Sequence, residues 1–115
     1  MSRELTASER DLVAAMLMYA AVSDGDTVTQ EERERWLSGI DGLRVTGICG
    51  CGLCPTINFN EHYEPETRLW LEAYDAKQDA GIILFIDDGE LSCLEVYPTE
   101  DKAVSLPAVE NVDFT

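Results

Sequence analysis

Gly81-Ile82-Ile83-Leu84-Phe85-Ile86 is a continuous apolar run, Asp87-Asp88-Gly89 is a turn signal, and Leu91-Ser92-Cys93-Leu94-Glu95-Val96-Tyr97 is a second run rich in strand-forming residues. Two such runs joined by an Asp-Gly pair predict a tight antiparallel hairpin, because the favoured two-residue turn needs positive φ at its centre. Upstream, Arg68-Leu69-Trp70-Leu71-Glu72-Ala73-Tyr74 alternates with apolar groups on both faces, and Thr56-Ile57-Asn58-Phe59-Asn60 alternates with Ile57 and Phe59 on one. Leu43, Val45 and Ile48 are spaced like a short strand. Residues 43–97 are therefore expected to form an antiparallel sheet of four to five strands, followed by an extended tail over 98–115 bracketed by Pro98 and Pro107.

The N-terminal third has a helical period. Thr6 with Glu9 fits a capping box, and Leu12, Val13, Met16, Leu17, Tyr19 and Ala20 make a broad apolar face behind it. The run Ser23-Asp24-Gly25-Asp26 is expected to end this helix. Thr29 with Glu32 opens a second one that carries Trp36 and Leu37 and stops near Gly39. A helical hairpin over 1–40 and a sheet over 43–97 imply an α+β fold, two N-terminal helices packed on one face of the sheet. The 115 residues suffice for a single domain.

Charge restricts the partners. The chain has 23 Asp and Glu against 8 Lys and Arg, a formal −15. Residues 1–59 carry nine acids and five bases, residues 60–115 fourteen and three. Direct binding to nucleic acid is disfavoured, because it requires cations that neutralise phosphates, and anionic lipid repels such a surface as well. The apolar stretch Leu12–Val22 is too short to span a bilayer and follows several charges, so no membrane segment or signal peptide is expected and a cytoplasmic location is. A basic protein partner is the expected ligand. The acids named for its contact are Glu61, Glu64, Glu66, Asp75, Asp79, Asp87, Asp88 and Glu90. Trp36 and Trp70 adjoin charged residues, so one of them is expected to be partly exposed, open to a partner or a homodimer contact.

Other chemistry is poorly represented. Cys49, Cys51 and Cys54 lie in a glycine-rich turn and supply three thiolates, with Cys93 or His62 available to complete a tetrahedral zinc set. Only one Cys-x-x-Cys knuckle is present, and a strand pattern rather than a helix follows Pro55, which also weakens a thiol–disulfide role. The expectation is therefore no cofactor, with reduced cysteines, and zinc as the alternative. Asp24-Gly25-Asp26 lacks a calcium loop's later ligand and glycine, since Val28 and Thr29 stand there. His62 has no nucleophile near it in sequence, and Glu72 and Glu95 sit inside strands where a carboxylate ordinarily faces solvent. No catalytic residue is assigned.

Two segments together carry a resemblance. Cys49-Gly50-Cys51-Gly52-Leu53-Cys54-Pro55-Thr56-Ile57, followed by Asp88-Gly89-Glu90-Leu91-Ser92-Cys93-Leu94-Glu95-Val96-Tyr97, resembles a group of small uncharacterised bacterial proteins. Those have a Cys-Gly-Cys-Gly-Cys-Pro segment and then a hairpin reading Asp-Gly-x-Leu-Ser-x-Leu-Glu-Val-Tyr. Leu53 is an insertion relative to that pattern and alters the third cysteine's spacing. The hairpin is also similar to the closing hairpin of immunity-type proteins that neutralise toxins. The resemblance implies a sheet-closing hairpin and informs the fold more than the function; the non-enzymatic inhibitor or immunity role is expected from the acidic surface. Carboxylates at roughly phosphate-like density make the expected partner a basic, nucleic-acid-processing protein such as a toxin or a host-defence nuclease.

Overall fold

In the computed structural model, residues 2–23, 25–48, 55–60, 64–100 and 102–114 are described. Both helices start where their capping residues place them. Thr6 Oγ1 accepts from the Glu9 amide at 3.1 Å while the Thr6 amide donates to Glu9 Oε1 at 2.8 Å, opening α1 (Ala7–Tyr19). Thr29 and Glu32 repeat the reciprocal pair at the start of α2 (Gln30–Ser38), which ends at Gly39 as expected. Helix α1 buries Leu12, Val13, Met16 and Leu17. Tyr19, expected on the apolar face, instead points outward, with its ring 5.7 Å from that of Phe114. The helix also stops at Tyr19, before the Ser23–Asp26 run, because Ala21–Val22 turns extended as β2 and joins the sheet.

The centre of the sheet is β6 (Arg68–Asp75), β7 (Ala80–Asp87) and β8 (Glu90–Pro98). Strands β7 and β8 meet across a two-residue turn, with Asp88 at φ 51° and Gly89 at φ 83°. Those angles are what the Asp-Gly pair supplies. Register pairs Phe85 with Cys93 but Ile86 with Leu91, so Ser92 is an extra residue in β8. That bulge explains why Leu91 and Leu94, three positions apart, are both buried.

Among the described residues the sheet has seven strands, larger than the four or five expected. Its order is β2-β6-β7-β8-β5-β4, where β5 is Ile57–Asn58 and β4 is Gly47–Ile48. The seventh strand, β9 (Val112–Asp113), pairs with the C-terminal half of β6, while β2 pairs nearer its middle. A separate two-stranded pairing joins β1 (Arg3–Glu4) to β3 (Arg44–Val45). The additional strands are two residues long, too short to show an alternation. The tail is likewise more structured than expected, with a 3₁₀ turn at Val109–Asn111 running into β9. All recorded pairings are antiparallel.

One apolar cluster gathers Leu12, Met16 and Leu17 from α1, Trp36 from α2, and Leu71, Ile82, Leu84, Ile86 and Leu94 from the sheet. Arg33 of α2 donates to the Leu17 and Ala20 carbonyls at 2.8 and 2.9 Å, satisfying acceptors left open at the end of α1. No helix among the described residues is long and apolar enough to cross a membrane.

Candidate functional site

The eight acids named from the sequence are not one patch. Asp75 and Asp87 are 0 % and 1 % exposed, so neither can meet a partner, and both are corrected from surface to interior. Asp75 closes the β6–β7 turn, where Oδ1 accepts from the Lys77 and Gln78 amides at 2.9 and 3.2 Å and Oδ2 from the Gln78 side chain at 2.9 Å. Asp87 is forked by Arg68, Nε to Oδ1 at 2.6 Å and Nη2 to Oδ2 at 2.8 Å. That guanidinium holds the Asp87 carboxyl below its ordinary range, against the upward push of burial, with a hydrogen bond from Ser92 acting in the same direction as Arg68. Asp79 lies in the β6–β7 turn at φ 56° and accepts from the Thr99 hydroxyl.

The opposite end of the sheet gathers three more of them. Asp88 Oδ1 accepts from the Thr67 amide at 2.9 Å, which holds the chain just after Glu66 against the β7–β8 turn. Exposed Glu66, Asp88 and Glu90 thus share the hairpin end, and exposed Glu64 precedes them in sequence. A cleft of about 780 Å³ opens there, lined by Trp36, Leu43 and Leu91 and by the charged groups of Arg35, Asp88 and Glu90. Trp36 was a candidate for exposure, but it is 6 % exposed and its indole donates to the Gly89 carbonyl at 3.0 Å. Glu61, His62, Cys49, Cys51 and Cys54 lie outside the described residues. Cys93 is half-buried on β8, and no cluster of three or more metal-ligating side chains occurs among the described residues.

No family model, curated protein or solved structure significantly matches this chain. Its surface chemistry is therefore the guide to what it does.

All six arginines bind within the molecule: Arg3 to Glu9, Arg10 to Asp41, Arg33 to the α1 carbonyls, Arg35 to the Gly89 carbonyl, Arg44 to Ser2, and Arg68 to Asp87. The Arg3 guanidinium lowers the Glu9 carboxyl below its ordinary range, helped by the Thr6 amide and opposed by burial. Carboxylates such as Asp11, Glu31, Glu34, Glu64, Glu66, Glu72, Glu90 and Glu110 remain exposed.

The sheet face opposite the apolar cluster was not singled out from the sequence. Register places Trp70 beside Phe85 and Cys93, then Glu72 beside Ile83 and Glu95, then Tyr74 beside Gly81 and Tyr97. These are three parallel rows about 7 Å apart, aromatic, acidic and aromatic. Trp70 is the tryptophan that is half-buried, and its indole donates to Glu72 Oε1 at 2.8 Å. Its ring centroid lies 6.2 Å from that of Phe85. The signal in the sequence was the apolar content on both faces of residues 68–74.

Proposed function

We propose that this chain is a non-enzymatic acidic binding protein of inhibitor or immunity type, which occupies the basic surface of a protein partner. One observation carries the reading: every arginine binds within the molecule, while most of the described carboxylates lie on its surface. A net charge of −15 then acts outward almost undiminished, attracting a cationic partner and speeding encounter. A nucleic-acid-processing protein is the natural type of target, since its working surface is already built to accept closely spaced anions. The two helices cover one face of the sheet in this reading, and the hairpin end and the opposite face meet the partner.

The test is salt dependence combined with charge reversal away from buried acids. Binding to an immobilised basic nuclease, measured by surface plasmon resonance, is expected to weaken steeply between about 50 and 300 mM salt. Glu64→Lys, Glu66→Lys and Glu90→Lys together are expected to slow association at least roughly tenfold, with a smaller change in dissociation. Affinity that stays flat across that salt range refutes the reading, and the negative charge is then only a solubility device.

A further inference from the structure

The open sheet face has a chemistry more specific than negative charge. Its middle row holds Glu72 and Glu95 on either side of Ile83, the two acids about 10 Å apart across one intervening strand. The flanking rows present rings: Trp70 and Phe85 on one side, Tyr74 and Tyr97 on the other. Carboxylate oxygens beside ring faces suit one side chain above others. A guanidinium is planar and can fork to a carboxylate while its face lies on an aromatic ring, which an ammonium cannot do.

The protein already makes this arrangement once, on the same face. Arg68 forks to Asp87, and its guanidinium carbon sits 4.7 Å from the Phe85 ring centroid. Two rows along from that pair, Glu72 lies between Trp70 and Tyr74 on β6, a carboxylate flanked by rings as Asp87 is flanked by Phe85. On β8, Glu95 stands next to Tyr97 along the same face and is similarly placed. Tyr74 and Tyr97 are 38 % and 43 % exposed, so their rings are reachable.

We infer that this face is a docking surface for a basic protein segment that presents arginine side chains, with Glu72 and Glu95 receiving the guanidinium groups and Trp70, Tyr74 and Tyr97 stacking on them. The inference rests on the acidic-binder reading and adds where the contact lies and which cation it selects. Charge complementarity decides the occupant. A second copy of this chain would bring another −15 against the same carboxylates, whereas an arginine segment neutralises them.

The experiment titrates the full chain, isotopically labelled, with nonaarginine and with nonalysine peptide at about 50 mM salt, following indole N–H resonances by NMR. Trp70 reports the open face and Trp36 the hairpin-end cleft. Nonaarginine is expected to bind roughly five- to tenfold tighter than nonalysine, shifting the Trp70 indole and leaving that of Trp36 in place. Glu72→Gln with Glu95→Gln should weaken nonaarginine roughly tenfold. Glutamine keeps the acceptor for Trp70, so the variant retains that contact. Glu64→Gln with Glu90→Gln should change it by about twofold at most.

Equal affinity for both peptides, with shifts confined to Trp36 and Gly89, overturns the docking assignment while leaving the acidic-binder reading intact. No binding of either peptide overturns both. Concentration-dependent self-association in sedimentation, with the same Trp70 shift and no peptide present, overturns the arginine assignment in favour of a second copy. If the double variant fails to fold by circular dichroism, the wild-type shift map and the arginine-to-lysine ratio still decide.

Discussion

Replacing Arg68 with alanine isolates the ion pair that joins β6 to the buried Asp87 of β7. The change removes two hydrogen bonds, 2.6 and 2.8 Å long, from a carboxylate whose side chain is 2 % exposed. It also removes the guanidinium stacked over Phe85. Breaking a fully buried pair by deleting one member costs about 3–5 kcal/mol, mostly because the remaining charge is stranded. Here the Arg68 side chain is 45 % exposed, so water can reach the space it vacates, and Ser92 still donates to Asp87. A cost of about 2 kcal/mol follows, which for a domain of this size lowers Tm by roughly 8 °C. Arg68→Lys keeps the charge but loses the fork and the stacking, and should fall about halfway.

The pH dependence separates this cause from simple loss of packing. Asp87 has a folded-state pKa below its unfolded one, so the stability it contributes is complete above the unfolded value, about 4, and is lost as pH falls through the folded value. Urea unfolding followed by tryptophan fluorescence at pH 7 and at pH 3 should therefore show a smaller Arg68→Ala penalty at the lower pH. An equal penalty at both, or one below about 0.5 kcal/mol at pH 7, refutes the argument that a stranded carboxylate is the cause.

Two more substitutions probe the same architecture. Gly81→Ala directs a Cβ into the Tyr97 ring that lies over it, and should cost roughly 1–2 kcal/mol in thermal melts. Tyr97→Ala in the same chain should remove most of that penalty, and a double-mutant cycle that finds additivity would contradict the contact. Thr6→Ala deletes the side-chain half of the α1 capping box and should lower stability by about 1 kcal/mol, read as a loss of roughly 4 °C in Tm.

The elements legible in the sequence are those with enough residues to display a period. Gly81–Tyr97, Arg68–Tyr74 and both capping boxes stand where the pattern places them, because turn chemistry and N-cap hydrogen bonds act over four residues or fewer. Ala21–Val22 and Val112–Asp113 had no pattern to offer: two residues become strands only because β6 presents an edge to them. The spacing of Leu91 and Leu94 breaks strict alternation, and only the register shows that Ser92 absorbs the difference. Burial of acids was the least readable property. Asp87 opens a turn motif in the sequence, yet Arg68, nineteen positions away, draws its carboxylate inward. Asp75 is in the interior because the Lys77 and Gln78 amides of the turn need an acceptor there, a demand that charge counting does not reveal.

The divided outer edge of β6 has a consequence for how the chain is made. β2 covers Leu71 and Glu72, and is synthesised before β6; β9 covers Tyr74 and Asp75, and is synthesised well after β8. During translation the hairpin can therefore close while half of that edge still shows unpaired backbone groups, the kind of template on which a neighbouring nascent chain adds a strand. Two residues late in the chain, Val112 and Asp113, end that exposure. Cells that stall or truncate synthesis before Val112 should accumulate a product that is folded in its hairpin yet prone to edge-to-edge association, so solubility would be set by the last short strand and not by the charge that dominates the composition.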